Sequence, residues 1–295
     1  MSFDEQSASR PAGPIRFGPY LLQEQINAGG TAEIWTATNE DGEILAIRKI
    51  LDKHRFNFGQ RGRFKNGADI HEQISPHEFI VGFIENGKID GSLFIAMEFF
   101  ECSNLKLLLS RQDEILGEMI GNILVDMAKG LDYVHDCGFM HLDFKPENVL
   151  VSRNGTVKLC DFDLSLPKPG SPKKFGKLPG TPAYMSPEQL RGDPFDQRAD
   201  IFAFGVSAYE LLTGQKPFVG DTIEEIMACH QSGEIISPRE LNPEIPGGLE
   251  SILIKCLAVE PNARYGYCSV LVRDLQTVLY VDEPQGNEGD ENPFS

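Results

Sequence analysis

The chain of 295 residues carries 27 Lys and Arg against 44 Asp and Glu, a formal net charge of −17 that excludes non-specific binding to nucleic acid or to an anionic membrane surface. Its 41% hydrophobic content is that of a globular protein, and the length suffices for a large core divided into two lobes. Six cysteines (Cys102, Cys137, Cys160, Cys229, Cys256, Cys268) show no C-x-x-C spacing and no preceding secretory signal, so they read as reduced thiols of a cytoplasmic protein; no uninterrupted apolar run reaches the roughly 18 residues of a membrane span.

Residues 1–16 are polar, include Pro11 and Pro14, and are expected to lack structure. Phe17-Gly18-Pro19-Tyr20 is expected to open a strand. A second strand pair follows, with Gly29 and Gly30 between its members, then Asp41-Gly42 as a hairpin turn and the apolar run 44–50. A flexible turn between antiparallel strands can close over a phosphate chain through its N–H groups. Strand side chains alternate faces, so Arg48 and Lys49 must point to opposite sides. Residues 63–74 have helical character, but Gly67 in a helix interior costs about 1 kcal/mol relative to alanine, and a frayed or short helix is expected. Asp90-Gly91 makes another hairpin turn before the buried-looking strand 92–97. Met119, Ile120, Ile123, Leu124, Met127, Leu131 and Val134 recur at helical spacing, and that helix is expected to end at Cys137-Gly138. Its methionines are core residues.

The most informative stretch is His141-Leu142-Asp143-Phe144-Lys145-Pro146-Glu147-Asn148-Val149-Leu150. Downstream, Asn154-Gly155 separates two β-prone runs and marks a hairpin. With 154 and 155 as a two-residue loop, the ladder sets Asn148 directly opposite Asp161. An amide oxygen and a carboxylate so placed can share Mg²⁺, which takes one or two protein ligands plus phosphate oxygens. Asp143 and Lys145 add a candidate base and a cation. Residues 167–179 form a loop with Lys168, Lys173, Lys174 and Lys177, read as solvated, before Gly180-Thr181-Pro182-Ala183-Tyr184-Met185-Ser186-Pro187-Glu188. Residues 200–214 are apolar nearly all round, as in a helix at the centre of a helical lobe. Leu249, Ile252, Leu253, Cys256 and Leu257 give another helix, and residues 281–295 form an acidic tail expected to be disordered.

These segments together resemble the eukaryotic-type protein kinase domain, with a bacterial serine/threonine flavour, over about residues 20 to 280. The resemblance implies an α+β, bilobal fold, with a small antiparallel β-sheet N-lobe (17–99) and a larger, mainly helical C-lobe (100–280). It implies ATP and Mg²⁺ as cofactors. Asp143 and Lys145 take the catalytic roles of base and phosphoryl-stabilising cation, and Asn148 and Asp161 those of metal ligands. Ile26, Asn27, Gly29 and Gly30 take the place of the glycine-rich loop. Ile34, Ala46, Met97, Glu98, Phe100 and Leu150 line the adenine pocket, Arg48 meets the phosphates, and Thr181 bonds to the Asp143 and Lys145 pair. Asp200 braces the catalytic loop, and Arg264 pairs with Glu188.

Besides Asn27 and Ala32 in place of two loop glycines and Ser186 in place of the alanine of A-P-E, four departures from the family pattern bear on the chemistry. Arg48 replaces the phosphate-contacting lysine and Gly67 its helix-borne glutamate partner. Leu142 replaces the arginine before the catalytic aspartate, which removes the receptor for a phosphorylated loop. Asp163 replaces the glycine of D-F-G. The chain therefore reads as a serine/threonine protein kinase-like protein that transfers the γ-phosphoryl group to a protein hydroxyl, with atypical or reduced activity. The alternative is a pseudokinase, a nucleotide-binding or scaffolding module for a regulatory protein partner. A small-molecule phosphotransferase is disfavoured by residues 180–188. Neither nucleic acid nor membrane insertion is expected.

Overall fold

The computed structural model describes residues 13–54, 56–176 and 179–280. The acidic tail and residues 1–12 lie outside the described residues. Alternating burial in the first hundred residues builds one curled antiparallel sheet from β1 (Ile15–Phe17), β2 (Tyr20–Ala28), β3 (Ala32–Thr38), β4 (Ile44–Ile50), β5 (Phe83–Ile89) and β6 (Ser92–Glu98), ordered β1-β2-β3-β4-β6-β5. Phe17-Gly18-Pro19-Tyr20 proves to be the β1–β2 turn rather than the start of a strand. Gly18 there has φ +57 and Phe17 pairs with Tyr20, so Ile15 and Arg16, assigned from sequence to the structureless segment, are already in the sheet.

Strand β4 sets the geometry of everything beneath it. Leu45 and Ile47 pack with Trp35, Phe17 and Phe94 on one face, while Ala46 and Ile50 join Phe64, Ala68, Ile95 and Met97 on the other. Lys49 lies on the first face, 3.3 Å from Glu33, and Arg48 on the second. Helix α1 (Phe58–Ile74) covers that second face. Its N-terminus is capped by the Asn57 side chain, which accepts from Gln60 N at 3.1 Å. The expected fraying does not occur. Gly67 is buried against the loop that follows Asp161, and the packing of Phe64, Ala68, Ile70 and Ile74 outweighs its weak propensity.

Below the sheet, β7 (Ser103–Asn104) leads into α2 (Leu105–Arg111) and α3 (Glu114–Asp136), the long helix expected from the methionine and leucine spacing. It stops at Cys137 and Gly138, whose φ is +85. Short pairs follow: β8 (Phe139–Met140) with β11 (Leu166–Pro167), and β9 (Val149–Val151) with β10 (Val157–Leu159). The lobe is completed by α4 (Pro187–Arg191), α5 (Arg198–Thr213), α6 (Ile223–Ser232), α7 (Pro238–Leu241), α8 (Gly247–Cys256) and α9 (Cys268–Leu279). Helix α5 is buried continuously from Ala199 to Leu211, as its all-round apolar sequence requires. Leu124, Met127, Leu131, Phe144, Val149, Phe204 and Leu271 share one core, so the chain carrying Asp143 is fixed by side chains each contributing about 1.5 to 3 kcal/mol of burial. Among the described residues no helix is long and apolar enough to cross a membrane.

The hairpin after Asn148 differs from expectation by one residue. Val157 pairs with Val151 and Leu159 with Val149, and Ser152 N and Gly155 N close a three-residue loop of Arg153, Asn154 and Gly155. Asn148 therefore opposes Cys160, whose N–H donates to its carbonyl at 3.1 Å, and not Asp161. Gly155 at φ +84 serves either loop length, so the dipeptide alone cannot fix the register.

Candidate active site

The loop from His141 to Asn148 hangs from one buried carboxylate. Asp200, 1% exposed, accepts from the backbone N–H of His141 and of Leu142 and from His135 Nε2, each at 2.8 Å. Burial alone would raise its proton affinity, but these bonds, led by that from His135, hold it below the usual carboxylate range. The bond to Leu142 also fixes that residue at φ +62, an uncommon backbone for a branched side chain. The turn thus made sets the Asp143 side chain, 13% exposed, against Lys145 and Asn148. Lys145 Nζ donates to Asp143 Oδ2 at 2.8 Å and to Thr181 Oγ1 at 3.0 Å. Asn148 Nδ2 donates to Asp143 O at 2.8 Å and to Oδ2 at 3.1 Å. Burial raises the proton affinity of the Asp143 carboxyl, with Lys145 opposing and Asp161 assisting.

Asp161 does not reach this cluster by strand pairing. Its own backbone turns left-handed, φ +64, and its charge is felt at Asp143 and at Arg48. With both Asn148 Nδ2 bonds directed at Asp143, the Asn148 amide oxygen and the partly exposed Asp161 carboxylate are the hard oxygen donors of this segment. Such donors would suit Mg²⁺ completed by phosphate oxygens.

Arg48 reaches the same place from β4. Nη1 donates to Asp163 Oδ1 at 2.8 Å and Nη2 to Asp163 Oδ2 at 2.7 Å, while Nη2 also meets Asp161 Oδ1 at 3.1 Å. Burial opposes the guanidinium charge, but the two carboxylates more than offset it and raise its proton affinity. Burial pushes the Asp163 carboxyl upward as well. The fork nevertheless requires an ionised carboxylate, because a proton on either oxygen would face an N–H donor. The Arg48 Cζ also lies 4.8 Å from the centre of the Phe64 ring.

Of the residues that the resemblance assigns to an adenine pocket, four lie together. Ile34, Ala46, Met97 and Leu150 share one apolar cluster with Cys160, and Ala46 pairs with Met97 across β4 and β6. Ile26 is exposed at the end of β2, ahead of Asn27, Gly29 and Gly30. Phe100 lies under Lys158, and Glu98 accepts from Gly82 N at 2.7 Å and from Lys158. Sequence reasoning missed several contributors. His54 Nε2 lies 2.8 Å from Gly30 O and pins the glycine turn, and Phe64 underlies Arg48. His71 donates to Val81 O at 2.5 Å and stands 5.5 Å from Phe162, which in turn lies 5.1 Å from His141. A buried His on a helix face lined with apolar residues was the available signal for the last.

Leu142 occupies an apolar cluster with Met140, Phe195 and Ala199, onto which Leu166 and Phe175 pack. Two residues of the segment after Asp163 thus rest on apolar side chains. Farther on, Arg264 grips Glu188 through Nη1–Oε1 at 2.7 Å and Nη2–Oε2 at 2.8 Å, a pair almost wholly buried.

A small antiparallel sheet over a helical lobe, with a carboxylate, a lysine and a hard-donor pair at their junction, defines the protein-kinase-like class of bilobal folds. The chain belongs to the protein kinase domain family, whose model matches residues 20–275. It is 33% identical over 276 residues to the probable serine/threonine-protein kinase PknB of Lactococcus lactis, covering 92% of this chain and 43% of that protein. It is 31% identical to the tyrosine-protein kinase MasK of Myxococcus xanthus (89% and 43% covered) and 31% to the serine/threonine-protein kinase PknD of Mycobacterium tuberculosis (85% and 38%). The chain spans less than half the length of these curated relatives.

Proposed function

We propose that this chain is an ATP- and Mg²⁺-dependent protein kinase domain that phosphorylates serine or threonine hydroxyls of a protein substrate, with Arg48 as its phosphate-facing cation. The observation that carries this reading is the cluster of Asp143, Lys145, Asn148 and Thr181, closed by bonds of 2.8 to 3.1 Å. Both side-chain bonds to the Asp143 carboxylate fall on Oδ2, which leaves Oδ1 to accept the proton of the attacking hydroxyl. Its raised proton affinity favours that role. Lys145 spends two donors on Asp143 and Thr181 and keeps a third for the transferring phosphoryl group. Asn148 and Asp161 would hold Mg²⁺, which would supply charge neutralisation to the nucleotide phosphates. Ile34, Ala46, Met97 and Leu150 bury the adenine, and Ile26, Asn27, Gly29 and Gly30 cover the phosphates.

The assignment to serine and threonine rests on Lys145 and its bond to Thr181, not on the relatives, one of which is named a tyrosine kinase. Six free thiols support a reducing compartment, the cytoplasm. A second reading, the pseudokinase, is favoured by one observation: Arg48 Nη2 lies 3.1 Å from Asp161 and competes there with a metal. Transfer of labelled phosphate from ATP by the wild type, with Asp143→Ala as control, separates the two. Signal above the control supports the kinase; no signal together with a nucleotide-induced rise in Tm establishes the pseudokinase. No signal together with no rise at high nucleotide and Mg²⁺ concentration overturns the kinase reading and the nucleotide site, and leaves only a scaffolding module.

A further inference from the structure

Arg48 is a permanent charge at 8% exposure, and such a charge is costly to bury without carboxylate partners. Helix α1 runs past it and offers none. Phe64 lays its ring against the guanidinium, and one turn later, on the same face, stands Gly67. The space at Gly67 is not empty. Asp163 presses so close that a Cβ on residue 67 would lie 2.8 Å from both Asp163 N and Asp163 Cα, a separation that side chains do not adopt. From this seat Asp163 aims both oxygens at Arg48. The seat is fastened on either side: Asn66 Nδ2 donates to Ser165 O at 2.9 Å, and Ser165 Oγ donates to His141 O at 3.0 Å.

We infer that Asp163 is the positioning residue for Arg48, delivered from the metal-binding loop into a recess that only glycine at position 67 leaves open. Arg48, Gly67 and Asp163 are then one device rather than three separate losses. The inference deepens the nucleotide-site reading above and rests on it for its link to Mg²⁺. Gripped by Asp163, the guanidinium leans on Asp161 through one nitrogen only, and the other Asp161 oxygen stays available for the metal.

Two measurements test this. Alanine is the better helix former, so at an ordinary helix position Gly67→Ala raises Tm. The recess demands the opposite: Gly67→Ala lowers Tm in the wild-type background, and still lowers it, though by less, in an Asp163→Gly background, where the contact with Asp163 Oδ1 is gone but those with residue 163 N and Cα remain. The second measurement is the half-saturating Mg²⁺ concentration for binding a fluorescent ATP analogue. In Asp163→Asn the arginine loses its fork and turns onto Asp161, so the Mg²⁺ requirement rises about tenfold. A merely structural Asp163 would lower Tm and leave that requirement where it was. A higher Tm for Gly67→Ala in the wild-type background, or an unchanged Mg²⁺ requirement in Asp163→Asn, overturns the inference. If the wild type binds no ATP analogue, the proposed function falls, while the melting comparison still decides the recess.

Discussion

Replacing Asp200 by asparagine tests whether the catalytic loop is held by one charge. Three donors converge on this carboxylate: His135 Nε2 and His141 N on Oδ2, and Leu142 N on Oδ1. An amide has one acceptor, so its best orientation keeps the first two and turns an NH₂ toward the Leu142 N–H. Loss of that charge-assisted bond costs about 1.5 to 3 kcal/mol, and the orphaned donor adds about 1 to 3. The total, about 4 kcal/mol, corresponds to a fall in Tm of about 8 °C for a domain of this size, read by scanning calorimetry. Leu142 is also released from its left-handed backbone, and Asp143 moves with it. A displacement of about 1 Å there costs on the order of a hundredfold in phosphate transfer. The folded-state proton affinity of Asp200 is depressed, so its contribution is present above the unfolded value of 3.8 and lost as the pH falls below that. Asp200→Asn should lack this acid limb. A variant that melts within about 2 °C of wild type would refute the reasoning.

Three further outcomes are expected. His230 is 2% exposed between Phe202 and Phe218, both ring nitrogens unpaired; burial, then Arg264 and Arg191 against Glu188, bring its pKa down to about 4. It therefore stabilises fully above the unfolded value of 6.5 and progressively less as the pH falls toward 4. After allowance for partial screening, about 1 kcal/mol disappears by about pH 5.5, and His230→Phe should flatten that slope in Tm against pH. Arg264→Ala strands the buried Glu188 and should lower the urea-derived stability by about 3 to 5 kcal/mol; a loss below about 1 would show the pair to be dispensable. Because Leu142 seats the following segment by apolar packing, a phosphate on Ser171 should leave phosphate transfer unchanged, and a many-fold rise would contradict that role.

Much of the fold was legible because its signals are local. The Asp90-Gly91 turn needs two positive φ values and has them, at 49 and 84. Two-residue alternation placed Arg48 and Lys49 on opposite faces of β4, and helical spacing located α3 to within its cap. The failures have physical causes. Asn-Gly suits loops of two or three residues, and the one-residue slip moved Asn148 from Asp161 to Cys160. Propensity argued for a frayed α1, and packing overrode it. Gly67 and Asp163, far apart in sequence, looked like independent defects, since no periodicity connects a glycine on a helix to an aspartate on a loop.

The shared origin of Asp161 and Asp163 has a mechanical consequence. Arg48, Asp163 and Asp161 all ride on β4 and one short loop, so an outward swing of α1 would not pull the charges apart. A regulator bound to that helix could not silence the site by withdrawing an electrostatic partner. Its handle is steric: pushing the helix backbone inward at Gly67 drives it into Asp163, whereas drawing it away costs the Asn66–Ser165 bond and the Phe64 contact with Arg48 but no ion pair.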